Sequence, residues 1–332
     1  MVKISWTIIR IVIVLAIFVF LIKTNTLDFT KLKDMVISYW IIPSLFCYLV
    51  VILVSILRWN ILLKALGIFP GLKSITKLTF VGYAFNMIIP GGVGGDIVKA
   101  YYVAKGRTEK RTSAVTTIGV DRLLGLFSMF STGALSIAFL LLFFPDFIQT
   151  TEQNSFFMSL TIIVFCSTAI MVIGLIILFS KFLRQTKPIR WLMFKAPGHL
   201  ILEKIYSTIF SFRDNKLVLM KTLGLSYISQ LAFILSMFLI CLSANESNIQ
   251  FSHYFFLTPI SLILNAIPIS PGGMGSGEFL TDWLFRSFGS SNGSEIMVIL
   301  HLAFIVVSLF GFLVYIQGKN EFSDIESEIK SE

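Results

Sequence analysis

Two apolar runs in this chain stop in the same unusual way. Residues 78–90 contain Asn86 and run into Pro90-Gly91-Gly92-Val93-Gly94-Gly95-Asp96. Residues 253–268 contain Asn265 and run into Ser270-Pro271-Gly272-Gly273-Met274-Gly275-Ser276-Gly277-Glu278. Both motifs end on a carboxylate. In a bilayer a Pro-Gly stretch leaves backbone N–H and C=O groups unpaired, and such backbone survives only where protein buries it or where it lines a wet cavity. Both runs are too short to cross about 30 Å of hydrocarbon comfortably. Each therefore reads as the first limb of a re-entrant hairpin, with return limbs at 96–104 and 278–288, so that the hairpins cover 78–104 and 253–288. Broken segments placed alike in two halves of a chain point to a binding cavity between repeats.

A bilayer is the right solvent to assume. Of the 332 residues, 56% are hydrophobic and 14% charged, which leaves too little polar surface for a soluble domain. Hydropathy picks out six full spans, at 4–22, 36–57, 123–144, 156–180, 221–243 and 296–316, so the fold class is an all-α polytopic membrane protein with two added hairpins. No small-residue cleavage site follows Ile22, so 4–22 reads as a span rather than a signal peptide. With the N-terminus inside and each hairpin returning to the side it entered, 23 of the 27 basic residues lie on the cytoplasmic side, leaving Lys23, Lys31, Lys33 and Arg286 outside. Both termini are then cytoplasmic and the hairpins enter from opposite faces, as an inverted repeat requires. Trp6, Trp40, Trp59 and Trp283 fall at span or hairpin ends, where the headgroup layer favours them.

Residues 1–320 form one membrane domain. Its basic cytoplasmic connector, 181–221, contains Trp191 and an amphipathic stretch at 201–212 suited to a membrane surface carrying anionic headgroups. Residues 321–332 are an acidic tail with the composition of a disordered segment. Cys47, Cys166 and Cys241 lie in apolar spans and read as small core residues, with no disulfide or metal pattern. His199, His253 and His301 are too dispersed to define a site, and His301 reads as a hydrogen-bonded structural histidine. There is no phosphate-binding loop, metal-spaced histidine cluster or nucleophile elbow, hence no expectation of a cofactor, a metal or a nucleic-acid partner.

Charge inside or beside a span requires a reason. Arg58 can snorkel to the cytoplasmic face beside Trp59, and Asp121 and Arg122 open a span at that face as cap and anchor or as functional groups. Asp96 and Glu278 each follow a glycine loop at a helix start, where free N–H groups attract an anion. Either carboxylate caps its own helix or handles a cation or a proton. Lys99, one turn beyond Asp96, can pair with that acid or with a phosphate. Asn86 and Asn265 are placed to hold the unwound backbone through their side chains.

These residues resemble a known family. Arg58-Trp59 with Leu62-Leu63 and Gly67, then Asn86 and Pro90 to Asp96, then Asp121-Arg122 with Gly125, and finally Pro268, Ser270 to Gly273, Gly275 and Glu278 are similar to the lysylphosphatidylglycerol synthase transmembrane family, over about residues 5–318. This is the flippase-like membrane region of the bacterial multiple peptide resistance factor, found also as a stand-alone protein. The resemblance implies a prokaryotic plasma-membrane or inner-membrane protein that moves a lipid between leaflets, in the full-length factor an aminoacylated phosphatidylglycerol. It brings together Arg58, Asn86, Pro90, Gly91, Gly92, Gly94, Gly95, Asp96, Lys99, Asp121, Arg122, Asn265, Pro271, Gly272, Gly273, Gly275 and Glu278 as candidate lipid-binding or translocation residues. Lys99 stands where relatives carry Arg, which keeps the charge and loses bidentate phosphate geometry. The soluble aminoacyl-transfer domain is not in the chain, so lysyltransferase activity is not expected from it alone. The implied partners are a membrane phospholipid or lipid-linked substrate and a separate cytoplasmic synthase or transferase. Two alternatives stay open: a membrane transferase acting on lipids, and a non-transporting anchor subunit of a separate synthase.

Overall fold

The computed structural model describes residues 27–89, 92–105, 110–143, 151–179, 215–244, 251–265 and 271–318, together with Val19, Lys23 and Phe212. Ten α-helices and one 3-10 turn make up the regular structure of these residues, with no strand among them. The helices are α1 (Phe29–Ile37), α2 (Ile41–Ala65), α3 (Leu72–Ile88), α4 (Gly94–Ala104), α5 (Arg111–Phe143), α6 (Thr151–Phe179), α7 (Lys216–Ser243), α8 (Phe251–Asn265), α9 (Ser276–Arg286) and α10 (Gly293–Gln317), with the 3-10 turn at Pro271–Gly273. Among the described residues, α2, α5, α6, α7 and α10 are long and apolar enough to cross a membrane. Their outward faces carry large apolar side chains, such as Leu142, Ile163, Ile170, Ile173 and Leu313. So much apolar surface is tolerable in lipid and not in water. The chain is a multi-pass membrane protein.

Several expected boundaries shift. The span expected at 36–57 is α2, starting at Ile41 and continuing to Ala65, with 29–37 as the separate helix α1. The span expected at 123–144 begins at Arg111, more than ten residues earlier, and the first limb expected at 78–90 begins at Leu72. Hydropathy overlooks these first turns because Lys73, Thr76 and Lys77, or Arg111, Thr112 and Ser113, dilute the apolar signal, although all of them are compatible with helix. Cys166 is exposed on α6, so only Cys241 among the cysteines is a core residue. The expected span at 4–22 (apart from Val19), the connector up to 211 and the acidic tail lie outside the described residues.

Helix order repeats. Each half runs long helix, short helix, glycine loop, short helix, long helix: α2, α3, α4, α5 in the first and α7, α8, α9, α10 in the second. The packing repeats with it, because α3 lies on α10 as α8 lies on α5, and α4 lies on α5 as α9 lies on α10. Close approaches match as well. A Cβ on Gly311 of α10 would run into the Phe80 carbonyl of α3, and a Cβ on Gly133 of α5 would meet Pro259 of α8 at 3.6 Å. Small residues let the helices approach here. On α5 the buried hydroxyls Ser131 and Ser136 bond back to the carbonyls of Phe127 and Thr132, at 2.6 and 2.7 Å, so they cost little polar burial.

The equivalent helices α2 and α7 are antiparallel. Ser44 near the start of α2 bonds Ser236 late in α7 at 3.0 Å, while Arg58 late in α2 bonds Ser226 earlier in α7 at 2.9 Å. Loop contacts define the two ends of the molecule. Lys110, just before α5, donates to the carbonyls of Leu66 and Gly67, just after α2, so the α3–α4 pair leaves from and returns to one end. At the other end Ile240 and Cys241 of α7 share a core with Leu284, Phe285, Ile296 and Met297, so the α8–α9 pair begins and finishes there. The 3-10 turn of the second half packs on α3 of the first.

Candidate functional site

Both glycine loops deliver a carboxylate to the third position of a short helix, and in both the following long helix supplies its partner. In the first half α4 has Val93 as N-cap and Asp96 in its first turn. Arg122 on α5 donates from Nε to Asp96 Oδ2 and from Nη2 to the Gly92 carbonyl, each at 2.6 Å, tying the loop to the long helix. In the second half α9 has Gly275 as N-cap and Glu278 in its first turn. Glu278 Oε2 accepts from the Gly275 N–H at 2.6 Å, and Glu278 Oε1 lies 2.7 Å from Nδ1 of His301 on α10. Asp96 is part-exposed, whereas the Glu278 side chain is 1% exposed.

The asparagines sit alike in both loops. Asn86 Oδ1 accepts from the Gly95 N–H at 2.7 Å. Asn265 Oδ1 lies against Gly273 and Gly277, so close that a Cβ at either glycine would collide with it. Gly95 is required because a Cβ there would strike the Gly82 carbonyl of α3. The 3-10 turn starts at Pro271, and Gly272, Gly273 and Gly275 have φ of 61°, 79° and 83°. Side chains there would strain the backbone. Gly94 opens α4 directly over the Phe85 carbonyl. Pro90 and Gly91 lie outside the described residues.

Four expectations change. Arg58 does not snorkel: it binds Asp121 through Nε to Oδ1 at 2.5 Å and Nη2 to Oδ2 at 2.9 Å, with Nη1 on Ser226. Asp121 and Arg122 do not open a span, since α5 begins at Arg111 and both lie about three turns inside it. Trp59 is not an interfacial residue: it is 2% exposed and donates from Nε1 to Thr117 Oγ1 at 3.1 Å. Lys99 does not pair with Asp96 along the helix. Its ammonium lies 5.1 Å from the centre of the Trp59 ring, a cation–π contact, within electrostatic reach of Asp121, Asp96, Arg122 and Arg58. Arg58, Lys99 and Arg122 thus stand around two carboxylates, Asp96 and Asp121.

Beside this cluster is a groove of about 840 Å³ between α4 and α5. Val93, Ile97, Val115 and Leu123 form apolar wall, while Arg111, Arg122 and Asp96 supply charge. The Arg122 side chain is 49% exposed, so its guanidinium remains open to a ligand. Among the described residues no cluster of histidine, cysteine and carboxylate side chains could hold a metal ion.

Sequence reasoning overlooked His301 as a site residue, along with Ser226 as the third contact of Arg58. The signal for His301 was its place inside an apolar helix, which was visible, but its partner lies 23 residues away on another helix.

The chain matches the family model described as the lysylphosphatidylglycerol synthase TM region over residues 7–314. It is 23% identical over 297 residues to a UPF0104 membrane protein of Pyrococcus horikoshii, covering 84% of this chain and 87% of the relative. A UPF0104 membrane protein of Methanocaldococcus jannaschii is 24% identical over 292 residues, covering 82% and 84%. Another, from Methanothermobacter thermautotrophicus, is 25% identical over 233 residues, covering 66% and 67%.

Proposed function

The chain belongs to the lysylphosphatidylglycerol synthase TM region family, and from that premise we propose that it is a lipid flippase or lipid transporter of the prokaryotic cell membrane. On this reading, the α3–α4 and α8–α9 pairs are re-entrant hairpins that enter from opposite faces. Helices α3 and α8 have 17 and 15 residues, so they reach about 25 and 22 Å, short of the hydrocarbon thickness. Both termini lie in the cytoplasm, as the distribution of basic residues favours.

The observation that carries the reading is the groove between α4 and α5, with its apolar wall and the open guanidinium of Arg122. That combination suits an anionic phospholipid: phosphate against Arg122, acyl chains along Ile97, Val115 and Leu123. Holding an arginine at membrane depth costs about 2.5–3.5 kcal/mol by insertion scales, and a function that requires the charge accounts for keeping it. The basic side chains gathered here, Arg58, Lys99 and Arg122, also favour an anionic headgroup. Gly92, Gly94, Gly95 and Asn86 shape the first loop of this pathway, and Pro271, Gly272, Gly273, Gly275 and Asn265 the second.

The test is reconstitution of the purified protein into liposomes with headgroup-labelled phosphatidylglycerol, read by external quenching and by product analysis. Translocation without a new lipid supports the proposal, and Arg122→Ala should slow it at least tenfold. A new lipid product would instead identify a membrane transferase. No movement and no product would leave an anchor subunit and end the flippase reading.

A further inference from the structure

Four protonatable side chains line one seam between α9 and α10, all buried. Residue exposure is 0% for Glu278, 4% for Asp282, 1% for Glu295 and 7% for His301. The two helices are antiparallel at this seam, since a Cβ on Gly293 would meet Thr281 and Asp282 while one on Gly277 would meet His301. Asp282 and Glu295 therefore lie toward the turn joining α9 and α10, and Glu278 and His301 lie deeper, at the hairpin tip. Glu278 and Asp282 are one helical turn apart, about 6 Å, and Glu295 and His301 about 9 Å apart along α10. Glu295 is near enough to Asp282 to act on it electrostatically.

Unpartnered atoms follow the same line. His301 Nε2, Asp282 Oδ1 and Thr281 Oγ1 are buried without a hydrogen-bond partner. Buried polar atoms of this kind are where ordered water enters a protein. With Nδ1–H donated to Glu278 Oε1, the lone pair on His301 Nε2 is free to accept a proton. That proton turns a net-negative pair into a neutral one, and no bond need break.

Neighbouring elements do not fix the charge of the pair. Helix α8 sets Tyr254 against Phe285 and carries His253, and α3 sets Tyr83 against Phe304. Helix α7 brings Cys241 into the same core and carries Tyr227, while α1 brings Lys31 to Asn292 near the turn. Arg286 is taken by Asp282 at 2.5 Å. Among the described residues, no lysine or arginine pairs with Glu278 or His301. An uncompensated carboxylate at this depth is costly, so proton uptake relieves a penalty that a fixed cation would otherwise remove.

We infer that Glu278 and His301 form a proton-binding couple, reached from the α9–α10 turn past Glu295 and Asp282, and that proton movement through it is coupled to lipid movement. The inference rests on the lipid-transport reading and supplies its energy source. Glu278 also holds the Gly275 N–H, so the charge of the couple acts directly on the second glycine loop. This arrangement has no counterpart in the first half, where the partner of Asp96 is the arginine Arg122.

The test uses proteoliposomes containing labelled phosphatidylglycerol, whose phosphate does not titrate between about pH 6 and 8, with a pH-sensitive dye trapped inside. Reversing an imposed pH gradient should change the wild-type translocation rate at least threefold, and lipid movement should carry protons. His301→Gln keeps a donor for Glu278 but accepts no proton, so it should show slower lipid movement that ignores the gradient. Asp282→Asn should slow proton movement at least tenfold while the protein keeps its melting temperature. Wild-type lipid movement indifferent to the gradient would overturn the coupling and leave lipid transport standing. Absence of lipid movement under every gradient would overturn both. His301→Gln with wild-type gradient dependence would also overturn the coupling.

Discussion

Arg58 grips Asp121 through two nitrogens, at 2.5 and 2.9 Å, across 63 residues of sequence. The side chains are only 11% and 16% exposed, so neither charge can turn to water when the other is removed. Breaking such a pair costs about 3–5 kcal/mol, whereas replacing both members with apolar residues of similar volume is often neutral. Arg58→Met and Asp121→Leu should each lower the melting temperature in detergent markedly, and the double variant should regain most of the loss. Ser226, the other partner of Arg58, keeps its bond to the Thr222 carbonyl throughout. Single variants as stable as the wild type would mean that the pair is solvated.

The glycines of the two loops should differ in tolerance. Gly92 has φ of 64° with open space around its Cβ position, so Gly92→Ala pays only left-handed strain, about 1–2 kcal/mol. Gly273 has φ of 79° and would also drive its Cβ into Asn265, and Gly95 would drive one into the Gly82 carbonyl. Overpacking of this kind adds about 1–3 kcal/mol. Gly273→Ala and Gly95→Ala should therefore lose more thermal stability than Gly92→Ala, and Gly273→Ala should recover part of its loss when Asn265→Ala is added. Equal losses at all three would mean that the loops are not packed as described.

The sequence made some of this legible because the signal was local. Pro-Gly runs ending on Asp96 and Glu278 reveal where helices break, and an acid three positions after an N-cap reads as a first-turn carboxylate. What pairs with that acid is set by helix packing. Arg122 and His301 reach Asp96 and Glu278 from separate helices, and no spacing rule connects them. Arg58 misled because a cation beside a tryptophan is a good snorkelling signal, while Asp121, its actual partner, is visible only once α2 lies on α5. Helix starts at Leu72 and Arg111 escaped because hydropathy detects apolar content, which the polar first turns lack.

Acid should loosen α1. Asp28 caps this helix, accepting from the N–H groups of Thr30 and Lys31 at 2.8 and 3.3 Å, and those bonds, that of Thr30 first, hold its carboxyl below the usual aspartate value. A carboxyl depressed on folding stabilises the folded state fully above its unfolded value of about 3.9, and that stabilisation fades as pH falls through the folded value. Hydrogen exchange over 29–37 should accelerate as pH drops below about 4, relative to the intrinsic rate. Asp28→Ala should exchange faster at neutral pH and lose this acid step. An acid step unchanged in the variant would assign it to another group.

Topology supplies the most direct check on the hairpin reading. The exposed Ser291 lies in the turn joining α9 and α10, at the end of the molecule that also holds Asp28 and Lys31, whose bonds to Glu295 and Asn292 span 2.9 and 3.4 Å. The exposed Lys105 follows α4, at the end where Lys110 meets Gly67. If α3–α4 and α8–α9 enter and leave on their own sides, these two positions lie on opposite faces of the membrane, with Ser291 outside. In a background lacking Cys47, Cys166 and Cys241, Ser291→Cys should react with an impermeant thiol reagent on intact cells. Lys105→Cys should react only after the membrane is opened. If hairpin α3–α4 crossed instead of returning, Gly67 and Lys110 would be separated by the bilayer, which their 3.1 Å hydrogen bond forbids. Reaction of Lys105→Cys on intact cells would therefore reverse the assigned orientation, and reaction of both positions would end the re-entrant reading.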